Sequence, residues 1–128
     1  MITKVAFIAH PTRDIEAARH FYGEVIGLTQ SADFDDVWSE YDTPDGQTIA
    51  LDTFSPGFID NPAPYMALES DAIEADVARI SEKGARVVKE VWTNRTDDGQ
   101  EICKMAMIID PDGNPIMLHQ MAANRIGK

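Results

Sequence analysis

The chain has 128 residues, 44% of them apolar and 26% charged, which is the size and make-up of one globular domain with a core of its own. Eleven Lys and Arg stand against 22 Asp and Glu, a formal charge of −11. Such a surface repels phosphate backbones and anionic lipid, so nucleic acid and membrane are excluded as expected partners, and solubility is the plain reading of the charge.

The segment ahead of residue 10 is apolar but is broken by His10, Pro11 and Arg13, too early for a signal peptide. No stretch approaches the ~18 apolar residues of a membrane span. The single cysteine, Cys103, excludes an internal disulfide and a thiolate cluster for zinc. The expected location is therefore the cytoplasm.

In chain order, residues 5–9 read as a strand. Asp14 then opens a helical pattern, with Ile15, Ala18, Phe21, Tyr22, Val25 and Ile26 recurring at spacings of three and four. The Asp14 carboxylate is placed to accept from first-turn amides, and Gly27 closes the helix with a left-handed residue. Residues 28–32 and 37–41 are β-rich, and 43–51 form a hairpin strand entered through Thr43-Pro44-Asp45-Gly46. Proline presets one turn torsion there, and glycine supplies a positive one.

A linker at 55–64, marked by Pro56, Gly57, Pro62 and Pro64, leads to a strand at 65–68. Asp71 opens a second helix along Ile73, Val77 and Ile80, with Glu74 completing a capping-box-like pair and Gly84 ending it. Strands follow at 86–92 and 102–109, separated by a polar stretch, 93–100, expected to lengthen their hairpin. A second Pro-Asp-Gly turn, Asp110-Pro111-Asp112-Gly113-Asn114, leads into Pro115-Ile116-Met117-Leu118. The tail, 121–128, is weakly patterned and is expected to fray or to dock on a partner.

The chain is thus written twice. Asp14 stands as far from Gly27 as Asp71 from Gly84, and the same turn recurs at the same place in each half. The expected fold is α+β: two tandem βαβββ modules, about 1–54 and 65–120, forming cupped mixed sheets in a single domain. A ferredoxin-like sandwich is the rival, but it places its helices after the first and third strands.

This ordering resembles the glyoxalase/bleomycin resistance protein/dioxygenase (vicinal oxygen chelate) superfamily over residues 3–120. The most specific pieces are Asp14-Ile15-Glu16-Ala17-Ala18-Arg19-His20-Phe21-Tyr22 running into Ile26-Gly27-Leu28, and Asp110-Pro111-Asp112-Gly113-Asn114-Pro115-Ile116. The resemblance implies a pocket inside the cup and pairing of two chains into a homodimer, for which exposed strand edges give a physical reason. It also implies a divalent metal on His, Glu or Gln side chains from four strands. The matching positions carry Phe7, Ala50, Tyr65 and Met117. Phenylalanine and alanine have no lone pair to offer, and the methionine sulfur is too soft for magnesium or manganese. A register shift of one residue does not restore a ligand set. The expectation is a protein with no metal cofactor.

Two readings of the site stay open. In one, Phe7, Trp38, Ala50, Tyr65 and Met117, with Asp52 and His119 as polar groups, bind an apolar or aromatic small molecule without metal, and Met105 and Met107 add polarisable contacts. In the other, strand alternation turns Asp52 with Ala50, Glu69 with Tyr65 and His119 with Met117, and these three form a displaced site for a lyase, isomerase or dioxygenase-like enzyme, with His119 as general acid or base or with a displaced divalent metal. His119 and Cys103 are the candidates for reactive chemistry, although nothing in the sequence makes them meet. Plain core packing remains an alternative for each apolar residue, as does a vestigial pocket on a regulatory or structural partner. His10 is placed on the other face from Phe7, and His20 on the surface.

Overall fold

The computed structural model describes residues 1–57 and 63–123. Much of the expected linker and the last five residues of the tail lie outside them. Among the described residues the chain forms β1 (Ile2–Pro11), α1 (Ile15–Arg19), β2 (Thr29–Phe34), β3 (Trp38–Asp42), β4 (Thr48–Asp52), β5 (Tyr65–Ser70), α2 (Ile73–Glu82), β6 (Arg86–Arg95), β7 (Glu101–Ile109) and β8 (Pro115–Met121). This is the βαβββ order, twice. No helix among these residues is long and apolar enough to cross a membrane.

Compactness divides the chain inside β1. One unit takes residues 1–6 with 65–123, and the other takes residues 7–57 with 63 and 64. The start of the first strand, which sequence alone groups with module one, therefore packs with module two.

In the unit of the first module the strands run β2-β3-β4-β1. β1 lies parallel to β4 with Ala9 opposite Ala50, and β4 lies antiparallel to β3 with Ala50 opposite Glu40. Asp14 caps α1 as its position demands, its side chain accepting from the Ala17 amide at 3.0 Å. The helix does not stay α-helical to Gly27. It passes at His20–Val25 into a π-helical turn, and the Ile26 amide reaches back to the Phe21 carbonyl at 2.8 Å. Gly23 lies in this turn. A Cβ there would stand 3.3 Å from Tyr41 Cε1, so glycine lets the turn close onto β3.

In the unit of the second module the order is β5-β8-β7-β6, the same pattern. β5 runs parallel to β8, and β8 antiparallel to β7. α2 buries Ile73 and Val77 against Ala106 and Leu118, with Ile2, Leu68, Ile80, Val87 and Val91 around them. Here the expected cap fails. Ala72, not Asp71, precedes the helix, and no side chain of its own caps it. Asp71 instead holds the Met1 ammonium at 2.7 Å, while the Ile73 amide donates to Gln120 Oε1 at 2.9 Å. A side chain 47 positions away does the capping. The Met1 ammonium also meets buried Asp76 at 2.9 Å. Hydrogen bonds from Ser70 and that ammonium hold the Asp76 carboxyl below its ordinary range.

The two Pro-Asp-Gly turns have one geometry. Thr43 N–H donates to the Gln47 carbonyl and Gly46 N–H to the Thr43 carbonyl; Asp110, Asn114 and Gly113 repeat this, and Gly46 and Gly113 have φ of 89° and 86°. The 93–100 stretch lengthens the hairpin of β6 and β7, as the sequence leads one to expect, and does so with regular structure. β6 continues through Arg95, and the connection is a third copy of the turn: Thr96 N–H to Gln100 carbonyl, Gly99 N–H to Thr96 carbonyl, Gly99 φ 88°. Thr96-Asp97-Asp98-Gly99-Gln100 repeats Thr43-Pro44-Asp45-Gly46-Gln47 with Asp97 in place of proline. Met121, expected at the start of the loose tail, closes β8, and Ala122 is buried.

Candidate functional site

Each unit has one sheet face turned away from its helix, and the paired registers say which side chains share it, because paired residues project to the same side. In the first unit Phe7, Ala9, Ala50, Asp52, Trp38 and Glu40 share this face. Phe7 meets the Trp38 ring edge-on at 5.5 Å, and Phe54 stacks on Trp38 at 5.4 Å with 13° between planes. Trp38 Nε1–H donates to Glu40 Oε2 at 2.8 Å, and Glu40 is only 3% exposed. Glu40 was not among the expected site residues. Its place two residues beyond Trp38 on one strand is the signal that would have found it. Asp52 is buried too, and its Oδ1 accepts from the Phe54 and Ser55 amides at 2.8 and 3.0 Å, fixing the chain as it leaves β4. Ala50 is fully buried.

In the second unit the face carries Tyr65, Ala67 and Glu69 from β5, Met117 and His119 from β8, Cys103, Met105 and Met107 from β7, and Trp92 and Asn94 from β6. Glu69 pairs with His119, His119 with Met105, and Met105 with Trp92, one row across four strands. His119 Nδ1–H donates to Glu69 Oε1 at 2.6 Å, and the other carboxylate oxygen accepts from the Met121 amide at 2.8 Å. Burial disfavours the Glu69 carboxylate, but these two hydrogen bonds outweigh it and lower its pKa. Burial likewise opposes charge on His119. Hydrogen bonds to the Cys103 and Glu69 side chains overcome it and push the imidazolium pKa up to about 9.

The sequence left open whether Cys103 and His119 come near one another, and the strand register puts both on one face. Cys103 lies opposite Met121 and one diagonal step from His119 on the same face. Asn94 Nδ2–H donates to Cys103 Sγ at 3.4 Å and to Met105 Sδ at 3.3 Å, and Trp92 Nε1–H holds Asn94 Oδ1 at 3.1 Å. Of the three displaced candidates, Glu69 and His119 come together in one unit, whereas Asp52 lies in the other. His10, on the helix side of its sheet, hydrogen-bonds through Nδ1 to the Tyr22 hydroxyl at 2.8 Å. His20 is exposed and lines an open groove of about 540 Å³ with Arg19, Gly23, Asp33 and Tyr41.

The four positions that the resemblance assigns to metal ligands are all buried: Phe7 and Ala50 in the first unit, Tyr65 and Met117 in the second. Their chemistry does not fit a hard divalent cation.

A family model described as the glyoxalase/bleomycin resistance protein/dioxygenase superfamily matches residues 4–118. No curated protein matches the chain in sequence. Among solved structures, a member of that superfamily from Vibrio splendidus 12B01 superposes with a TM-score of 0.66 at 18% identity, over 92% of this chain and 99% of that one. A Mn(II)-bound glyoxalase from Novosphingobium aromaticivorans gives a TM-score of 0.61 at 19% identity, over 93% of this chain. A variant of homoprotocatechuate 2,3-dioxygenase from Brevibacterium fuscum gives 0.60 at 19%, over 95% of this chain. This chain spans 39% and 33% of those last two. At these identities the likeness is one of fold.

Proposed function

Because the chain belongs to the glyoxalase/bleomycin resistance protein/dioxygenase superfamily, we propose that it is a small-molecule-binding protein of that type whose ligand is held by side chains and not by a divalent metal. The observation that carries this reading is the set Phe7, Ala50, Tyr65 and Met117 at the four ligand positions. Aromatic and thioether groups favour flat, apolar ligands, oriented by a few polar groups such as Glu40 in the first unit and His119 in the second. A homodimer in the cytoplasm remains part of the proposal, and sedimentation of the purified chain tests the pairing.

Elemental analysis joined to a thermal-shift screen of planar aromatics and basic amphiphiles tests the main claim. The expected result is substoichiometric metal, hits that persist in EDTA, and weaker binding of those hits by Phe7→Ala and Tyr65→Ala. Stoichiometric zinc, nickel, manganese or iron that resists dialysis would overturn it.

The Glu69–His119 pair favours a second reading, an enzyme of the same superfamily with lyase or isomerase chemistry. An imidazolium oriented by a buried carboxylate is equipped to give a proton to a bound substrate and to take it back. Turnover lost in His119→Gln, with ligand affinity kept, would select this reading over simple binding.

A further inference from the structure

We propose that the groove between the π-helical turn and strands β2 and β3 binds a small aliphatic amine in its protonated form. The site lies on the helix side of the first unit, so it stands or falls apart from the reading of the inner sheet faces.

The two modules differ at this place. Counted from Asp14 and Asp71, Gly23 and Gln30 answer to Ile80 and Val87. The registers agree, because Gln30 lies opposite Tyr41 as Val87 lies opposite Ile108. Both units have a groove beside the helix. In the second it is lined by Val77, Ser81 and Glu90, where the first has His20, Glu24 and Asp33. Ile80 and Val87 fill the space beneath it, packed against Val77, Ala106 and Leu118. In the first unit glycine and glutamine stand at those two positions, and the groove, about 540 Å³, reaches inward to Tyr41 on β3. That volume is ample for a small molecule. The π-helical turn, a feature frequent at functional sites, carries Gly23 onto the Tyr41 ring, where a Cβ would stand 3.3 Å from Cε1.

The lining asks for a ligand that donates hydrogen bonds. Tyr41 is 4% exposed, yet no described residue hydrogen-bonds to its hydroxyl. An unpaired buried hydroxyl is unfavourable, and a ligand N–H donating to its oxygen removes that cost. The charge of the ligand follows from the carboxylates. Arg19 Nη1 donates to Glu16 and Asp36, and Nη2 donates to Asp33 and to the Asp35 carbonyl. The guanidinium is therefore engaged by protein oxygens and has little to offer an anion. Glu24, exposed at the rim, forms no ion pair among the described residues. An ammonium brings Glu24 its counter-charge and gives Tyr41 an N–H donor, while Leu28 covers the attached methylene groups. The groove of the second unit also carries carboxylates, Glu74, Glu82 and Glu90, but no tyrosine beneath them.

Titration of the native full-length chain with n-butylammonium chloride at neutral pH and physiological salt, followed by amide NMR, tests this. The expected result is saturable shifts at Gly23, Glu24 and Gln30, with the amides of Ser81 and Glu90 unmoved. Tyr41→Phe and Glu24→Gln should each weaken binding by about tenfold or more, the range of a hydrogen bond to a charged group. Gln30→Val, which puts the second module's residue into the first, should weaken it in the same direction. Shifts that never saturate, or that move both grooves alike, are those of a cation drawn to any acidic surface and overturn the proposal. So does wild-type affinity in a folded Tyr41→Phe. If Tyr41→Phe fails to fold, as judged by circular dichroism, Glu24→Gln decides alone, and unchanged affinity there overturns the proposal.

Discussion

His119 keeps a charge at 2% exposure because Glu69 and Cys103 face it from the two neighbouring strands, while Lys4 acts on Glu69 from the start of β1. Its pKa is raised above the ordinary 6.5, to about 9, so the folded state holds a proton that the unfolded chain releases. The stabilisation from this proton is complete below pH 6.5 and disappears as the pH climbs through about 9. Glu69 has the opposite sign. Its lowered pKa stabilises the fold above the ordinary carboxyl value and loses that effect as acid protonates it. Thermal melts from pH 6 to 10 should therefore show wild type losing stability across the alkaline window while His119→Gln stays flatter. Parallel curves for the two proteins would rule out the imidazolium as the source of that loss.

Among the elements, the turn built from Thr-x-Asp-Gly-Gln or its Asp-Pro-Asp-Gly-Asn counterpart recurs three times. Each copy closes a hairpin through a glycine with φ near +90°. At Gly99 a Cβ would touch nothing within 4 Å, so the cost of adding one is the backbone conformation alone. Gly99→Ala should lose about 1–2 kcal/mol in chemical denaturation, the cost of placing an L residue in the left-handed region. Gly57→Ala, where φ is not positive and the space is also open, should stay within about 0.5 kcal/mol. Equal losses at the two positions would contradict this role for the glycine of the turn. The third copy was readable in the sequence, since residues 96–100 differ from 43–47 only at Asp97 and Pro44. Without the proline the stretch reads as a polar loop, which is how a real turn was passed over.

That Cys103 and His119 share a face was half readable in the same way. Once Asp110–Asn114 is taken as the tight turn between β7 and β8, Ile109 lies opposite Pro115 and Met105 opposite His119. Cys103 then falls on the face of His119, one diagonal step away. Glu69 was not readable so directly, because its place depends on β5 lying parallel to β8, and no short turn specifies a parallel register. The cap of α2 failed for a related reason. Asp71 has the residue type of a cap, but a charged ammonium from Met1 takes it, and Gln120 supplies the first-turn acceptor from the far end of the unit.

At the scale of the whole molecule the net charge of −11 governs how copies of the chain approach one another. It adds a like-charge repulsion against non-specific association in neutral solution and discharges as the carboxylates take up protons. Light scattering against pH should therefore show a solubility minimum near pH 4.5, the isoelectric point, where like-charge repulsion vanishes. Unchanged scattering through that pH would place solubility elsewhere than in the charge.

The βαβββ order, its duplication, the cap at Asp14 and the positive-φ glycines all followed from the sequence by itself. They depend on residue type and short spacing, which act within a few residues along the chain. The division inside β1, the capping of α2 by Gln120, the burial of Glu40 against Trp38 and the Glu69–His119 pair belong to the tertiary structure. Each depends on which strands lie side by side and in what register. Many weak contacts between distant residues set that register together, and no local pattern specifies it.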